Sequence, residues 1–198
     1  MADLLIRRRE MVIQFQQKEW DYEWDASKGL LDANGWTATK VGTSSNTKKS
    51  IVSDYMSLYT NSSNYYNFTY PNTYTKCVIQ VEIYFPNNSV IRVNAPGNSN
   101  DYSLGVRIQR SDNYNGVYIG TSTSGTKIST VNVSTKYTFK LVINEGVGQV
   151  WKDGVLIADN IDTTSISDVG GGLIRMNGAG STWRTLRLYS VKMKFGRI

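Results

Sequence analysis

In the stretch TKCVIQVEIYF, residues 75–85, apolar side chains recur at every second position. Cys77, Ile79, Val81, Ile83 and Phe85 alternate with Val78, Gln80, Glu82 and Tyr84. Period two is the repeat of a β-strand, whose successive side chains leave opposite faces; a helix would scatter the same residues around its circumference. The pattern returns in YSLGVRIQR, with Leu104, Val106 and Ile108 against Arg107 and Gln109, and in KYTFKLVIN, with Tyr137, Phe139, Leu141 and Ile143. Such strands are half-buried, one face in the core and one in water. Between them lie turn-rich clusters: NNS, PGNSND, RSDNYNG, TSTSGT, NEGVG, DVGGG and NGAGS. Strands at roughly ten-residue spacing with turn signals throughout predict an all-β fold, an antiparallel β-sandwich or jelly roll. No helical period is visible after residue 17, and no internal repeat.

The chain has 198 residues, which suits one domain able to bury roughly 70% of its unfolded surface without disulfides or metal. A single cysteine, Cys77, excludes an internal disulfide, and its phase with Ile79 and Val81 marks it as a small core residue. There is no histidine. That removes Ser-His-Asp and Cys-His catalysis, histidine-ligated zinc and a histidine pH switch, leaving carboxylates, Lys or Tyr for any hydrolytic chemistry. The net charge of +6 invites acidic partners, but the basic residues are scattered along the chain. They occur as Arg7-Arg8-Arg9, as Lys48-Lys49, and as singles in the last strand. No nucleic-acid module is present, and nucleic acid is not an expected partner. No window is long and apolar enough for a membrane span, and the first residues lack the order of features of an export signal. The sequons at Asn61, Asn67, Asn87 and Asn132 are therefore read as products of an Asn/Ser/Thr-rich composition.

Asp153-Gly154, inside GQVWKDGVLIAD, is the pair a two-residue hairpin turn needs, with positive φ at both positions. The segment YTFKLVINEGVGQVWKDGVLIAD, preceded by GVYIGTSTSGTKIST, resembles the concanavalin A-like and laminin G-like sandwich superfamily. The closing WRTLRLYSVKMKF is similar to that superfamily's last strand, which returns beside the first. The likeness runs over roughly residues 19–195 and carries structural motifs. It implies the fold and leaves function open, since one fold hosts many functions. The domain reading is a leader over residues 1–17 and a sandwich over 18–198.

The stretch KEWDYEWDAS sets Glu19, Asp21, Glu23 and Asp25 at every second position. Glu19, Asp21 and Glu23 spell the Glu-x-Asp-x-Glu spacing of laminarinase-type glycoside hydrolases. On a strand, however, Glu19 and Glu23 stand about 13 Å apart at Cα, whereas a retaining pair needs its carboxyl groups about 5 to 5.5 Å apart. The intervening positions are Trp20, Tyr22 and Trp24, where those enzymes carry aliphatics. The reading adopted is an edge segment, aromatics inward and charges outward, which also discourages edge-to-edge pairing. Catalysis by the three acids remains the alternative.

Binding capacity is sought in NSSNYYNFTYPNTYT, residues 61–75. Tyr65, Tyr66, Tyr70 and Tyr74 sit there among small polar residues, a composition that serves binding loops; Tyr114 in SDNYNG is a second candidate. The competing reading is that Phe68 and some tyrosines form an ordinary strand. Trp36, Trp151 and Trp183 are read as core or near-core. No cofactor is expected. Calcium occurs in the superfamily the chain resembles, and the Asn/Asp-rich loops at 98–101 and 111–113 offer oxygen donors, but no spacing identifies ligands.

Leu4, Leu5 and Ile6 followed by Arg7, Arg8 and Arg9 form an apolar and basic leader. A short Arg-triplet leader before a sandwich resembles virion proteins of phages infecting gut bacteria. That resemblance implies a non-enzymatic component of a tailed-phage particle: capsid decoration, head fibre or tail. The leader would anchor to other virion subunits, the sandwich would face host glycans, and homo-oligomers would raise avidity. An intracellular bacterial lectin-like adaptor is the third reading.

Overall fold

A computed structural model describes residues 19–71, 76–86, 89–94, 105–111, 114–119, 126–144, 146–162 and 173–196. The leader residues Leu4 to Arg9, Tyr74, and most of the Asn/Asp-rich loops lie outside them. The described residues form fifteen β-strands in two antiparallel sheets.

The first sheet runs β13 (Val155–Asp162), β12 (Val147–Lys152), β11 (Thr135–Asn144), β6 (Lys76–Phe85), β15 (Arg184–Phe195), β4 (Tyr55–Thr60) and β3 (Lys48–Val52), with β1 (Tyr22–Asp25) also against β15. The second runs β10 (Thr126–Ser129), β9 (Tyr114–Ile119), β8 (Gly105–Ser111), β7 (Ser89–Asn94), β14 (Leu173–Gly178), β5 (Tyr65–Thr69) and β2 (Thr37–Val41). The sequence alternation lands where expected. β6 buries Cys77, Ile79, Val81 and Ile83, and β11 buries Tyr137, Phe139, Leu141 and Ile143. These meet Phe68, Ile91, Val93, Val117, Ile174 and Met176 of the second sheet in one core. Each such side chain contributes about 1.5–3 kcal/mol by leaving water.

The β12–β13 hairpin turns on Asp153 (φ 50°) and Gly154 (φ 80°), as the sequence predicts. Asp153 adds a function of its own. Its Oδ1 accepts from the Thr138 amide at 2.8 Å, and its own amide donates to the Thr138 carbonyl at 2.8 Å, so the turn is clipped to β11.

Helical structure among the described residues is confined to two short 3-10 turns at 26–28 and 31–33. They fold the chain after β1 over one end of the sandwich. There Tyr22, Trp36 and Tyr70 meet with ring centroids 5.4–6.4 Å apart, and Tyr70 stacks on Phe195 at 5.8 Å. The last strand does return beside the first: β15 pairs with β1 from Tyr22↔Met193 to Asp25↔Ser190.

Two tryptophans depart from the near-core reading. Trp36 is 3% exposed, but Trp151 lies half-buried on the outer face of the first sheet under the Lys140 ammonium, 4.4 Å from its centroid. Trp183 stacks at the surface on Tyr59 at 5.1 Å. An aromatic on a strand packs equally well on either face, and its parity relative to buried neighbours decides which.

Candidate functional site: the exposed face of the second sheet

β5 follows a turn built by two asparagines. Asn61 is buried, and its Oδ1 accepts from the amides of Ser63 (3.0 Å) and Asn64 (2.8 Å) and from Asn64 Nδ2 (3.1 Å). Asn64 Oδ1 in turn accepts from the Ser44 amide at 3.0 Å. This turn carries the chain from β4 in one sheet to β5 in the other and fixes where Tyr65 enters its strand. Asn61 is thus a turn organiser.

With Phe68 fully buried, strand parity sends Tyr65 and Asn67 to the outer face of the second sheet. On the neighbouring strand β14, Ile174 and Met176 face the core, which sends Arg175 outward, directly opposite Asn67. The three side chains meet. Arg175 Nε donates to Asn67 Oδ1 at 2.8 Å, and the guanidinium carbon lies 5.2 Å from the Tyr65 ring centroid. An amide oxygen and an aromatic face together fix the plane of the arginine fork, a geometry suited to gripping oxygen-rich ligands. Arg92 on β7 stands beside Arg175 in register, and Asn177 lies on the same face of β14.

The tyrosine cluster divides. Tyr65 belongs to this surface. Tyr66 and Tyr70 pack against the core from within: Tyr66 neighbours Phe68 at 6.1 Å with the Lys49 ammonium 5.3 Å from its ring, and Tyr70 closes the aromatic end. Burial raises the Tyr66 phenol above its usual range, helped by the charge of Asp32. Residues 65–69 form a strand, the competing reading of the Tyr-rich stretch. Tyr114 opens β9, away from Tyr65 in the strand order, and Tyr74 is outside the described residues. Asn67, Arg175 and Arg92 were missed by sequence reasoning. Each is a polar position within an alternating strand, which looks like an ordinary wet face until register places them side by side.

Over β1 the acidic stretch has the inward and outward faces expected of it, but Trp20 departs from them: half-buried and outside the core, it has the Lys192 ammonium 5.9 Å from its ring centroid. Trp24 is 1% exposed and donates through Nε1 to the Gly29 carbonyl at 3.0 Å, while Glu19, Asp21, Glu23 and Asp25 are exposed. β1 has a ladder partner on one side only among the described residues, as an edge segment should. Three of the acids have structural partners. Asp21 Oδ2 accepts from the Phe195 amide at 2.7 Å, Glu23 faces Lys192 at 3.8 Å, and Asp25 caps the turn through the Ser27 amide at 2.9 Å. Hydrogen bonds from Ser27 hold the Asp25 carboxyl below its ordinary range, the opposite of a general acid's requirement. Glu23 and Lys192 lie on the outer face of the first sheet, so this row and the Arg175 surface are on opposite sides of the molecule. Among the described residues no group of three or more metal-ligating side chains occurs.

No protein-family model matches the chain, and no curated protein matches it in sequence. Solved structures do match in shape. A sialidase is similar with TM-score 0.67 at 10% identity over 88% of this chain, which spans only 18% of that one. The metal-free carbohydrate recognition domain of Emp46p is similar with TM-score 0.62 at 12% identity, over 91% of this chain and 100% of that one. A glycoside hydrolase family 16 endo-glucanase from Bacteroides ovatus has TM-score 0.59 at 12% identity, over 87% and 99%. The fold is that of the concanavalin A-like lectin and glycoside hydrolase sandwiches.

Proposed function

We propose that the chain is a non-enzymatic, lectin-like sandwich that binds glycans on the exposed face of its second sheet. The observation that carries the reading is the Tyr65–Asn67–Arg175 arrangement. It is a preset group of hydrogen-bonding and aromatic side chains on a sheet, in a fold shared with a carbohydrate recognition domain. Sugar recognition asks for hydroxyl-reading amides and guanidinium groups beside an aromatic face, and this surface supplies all three.

The test is a binding panel of immobilised glycans with the full chain, the Tyr65→Ala and Asn67→Ala variants, and Tyr59→Ala on the opposite sheet. Retention of at least one glycan, lost in the first two variants and kept in the third, is expected. Retention of none overturns the reading, and loss in Tyr59→Ala alone moves the site to the Tyr59–Trp183 pair. The hydrolase alternative is checked on the same samples. The parent is expected to release no reducing sugar from β-glucans; release abolished by Glu19→Gln and Glu23→Gln would establish it.

The finer placement is a tailed-phage particle, with residues Leu4 to Arg9 docking on another subunit and the sandwich presented outward. Its support is the composition of the leader. Antibody against the protein is expected to label purified particles, and a native mass that falls when residues 1–16 are removed marks the leader as an assembly element. Unlabelled particles would remove the virion assignment and leave glycan binding untouched.

A further inference from the structure

Acidic residues, more than net charge, are divided unequally between the two sheets, since the strands of the first also carry ten Lys and Arg. The strands of the second sheet carry Lys40, Arg92, Arg107, Arg110, Lys127 and Arg175 and not one Asp or Glu. The carboxylates found in strands, Glu23, Asp25, Glu82, Asp159 and Asp162, all belong to the first sheet. Register concentrates the cations further. Arg175 pairs with Arg92, Arg92 with Arg107, Arg107 with Tyr118, and Tyr118 with Lys127. One cross-strand row therefore runs over five consecutive strands, about 19 Å at the usual strand spacing, with three arginines on adjacent strands. Like charges directly opposite each other destabilise a sheet.

The end of the row is prepared for an anion. Asn67 takes Arg175 Nε, and among the described residues the two Nη groups of Arg175 have no protein partner. A guanidinium held this way presents the parallel pair of N–H groups that matches a carboxylate or a sulfate. At the other end Lys127 is exposed, lies across Gly116, and has no ion-pair partner among the described residues.

We infer that this face selects acidic glycans, extended chains bearing carboxylate or sulfate groups, read by the row from Arg175 to Lys127. The inference rests on the glycan-binding reading and names its ligand class. It is tested with matched pairs of polymers: polygalacturonate against its methyl ester, and dextran sulfate against dextran, with single-stranded poly-dT as a polyanion that is not a glycan. The full chain is expected to bind at least one charged member about tenfold or more tightly than its uncharged twin. Which pair shows the difference tells carboxylate from sulfate. Arg175→Gln and Arg92→Gln are each expected to weaken that binding about tenfold, the scale of one charge-assisted contact. Lys127→Gln is expected to weaken it with an unchanged urea midpoint, since the Lys127 side chain makes no hydrogen bond among the described residues. Lys140→Gln on the opposite sheet is expected to leave it alone, and added salt to weaken it steadily.

Equal affinity for charged and uncharged twins, or no loss in the three variants, overturns the acidic preference while neutral-glycan binding stands. Poly-dT bound as tightly as the charged glycan, with the same losses, overturns the glycan class in favour of a general polyanion surface. Binding to no glycan at all removes both readings.

Discussion

Two glycines show how differently one residue type can be constrained. Gly154 (φ 80°) has open space where a Cβ would stand, whereas at Gly42 (φ 82°) a Cβ would run into Asn64 Oδ1 and the Ser63 carbonyl. Gly154→Ala should therefore lose about 1–2 kcal/mol from backbone conformation alone. Gly42→Ala adds a clash with the turn that launches Tyr65. It should lose more, measured as urea midpoints, and should weaken glycan binding where Gly154→Ala does not. Cys77 gives a prediction of a different kind. Burial pushes its thiol up to about 12 from 9.0, so between these values the neutral form predominates only in the folded state. Its contribution is full below about pH 9 and is lost as pH rises toward about 12, because the unfolded chain ionises first. Urea midpoints measured upward from pH 9 should fall less steeply in Cys77→Ala than in the parent. Tyr22, raised chiefly by burial, adds a second loss further into the alkaline range. Near neutrality, with no histidine, both proteins should be flat.

At the scale of elements, β1 is where the sequence was read most fully. Alternation alone told Trp24 from Glu23. Trp24→Ala should cost about 3–5 kcal/mol by leaving a cavity, and Glu23→Gln should stay within about 0.5 kcal/mol, since its carboxylate's only partner among the described residues is Lys192, in an exposed contact. Thermal or urea unfolding of the two variants decides this, and a large loss in Glu23→Gln would mean the acid row is more than a wet face. The same period-two logic placed β6, β11 and the Asp153-Gly154 hairpin, because β6 and β11 each have one face turned to the core. It failed on β5, where Tyr65 and Tyr66 are equally amphipathic and the run of tyrosines hides the parity that Phe68 sets. It failed again on the basic residues. Arg92, Arg107 and Arg175 look scattered along the chain, yet they are neighbours in space because β7 pairs with β8 and β14 is inserted between β5 and β7. Pairing between distant strands is a property of the whole sheet, and no local pattern encodes it. Periodicity says which face a residue occupies, and topology says who its neighbours are.

At the scale of the molecule, the last strand completes the fold. β15 pairs with β6 along one edge and with β4 and β1 along the other, so the C-terminal segment sits in the interior of the first sheet. Such distant pairings close large loops, and all-β domains built on them fold in milliseconds to seconds. The segment also supplies Leu186, Leu188, Val191 and Met193, all at most 2% exposed. At about 2–5 kcal/mol for each large aliphatic removed, their combined loss is comparable to the entire stability of about 5–15 kcal/mol expected of a domain. The loss also unpairs β6 on one side and leaves β1 without a ladder partner among the described residues. A chain ending at residue 183 should therefore have no cooperative thermal transition, lack near-ultraviolet dichroism from its aromatic rings and bind a hydrophobic dye. The full chain should show one sharp transition. A truncated chain that still unfolds cooperatively would mean the remaining strands form a self-sufficient core, and that β15 is an addition to the sandwich rather than the strand on which both halves of its first sheet depend.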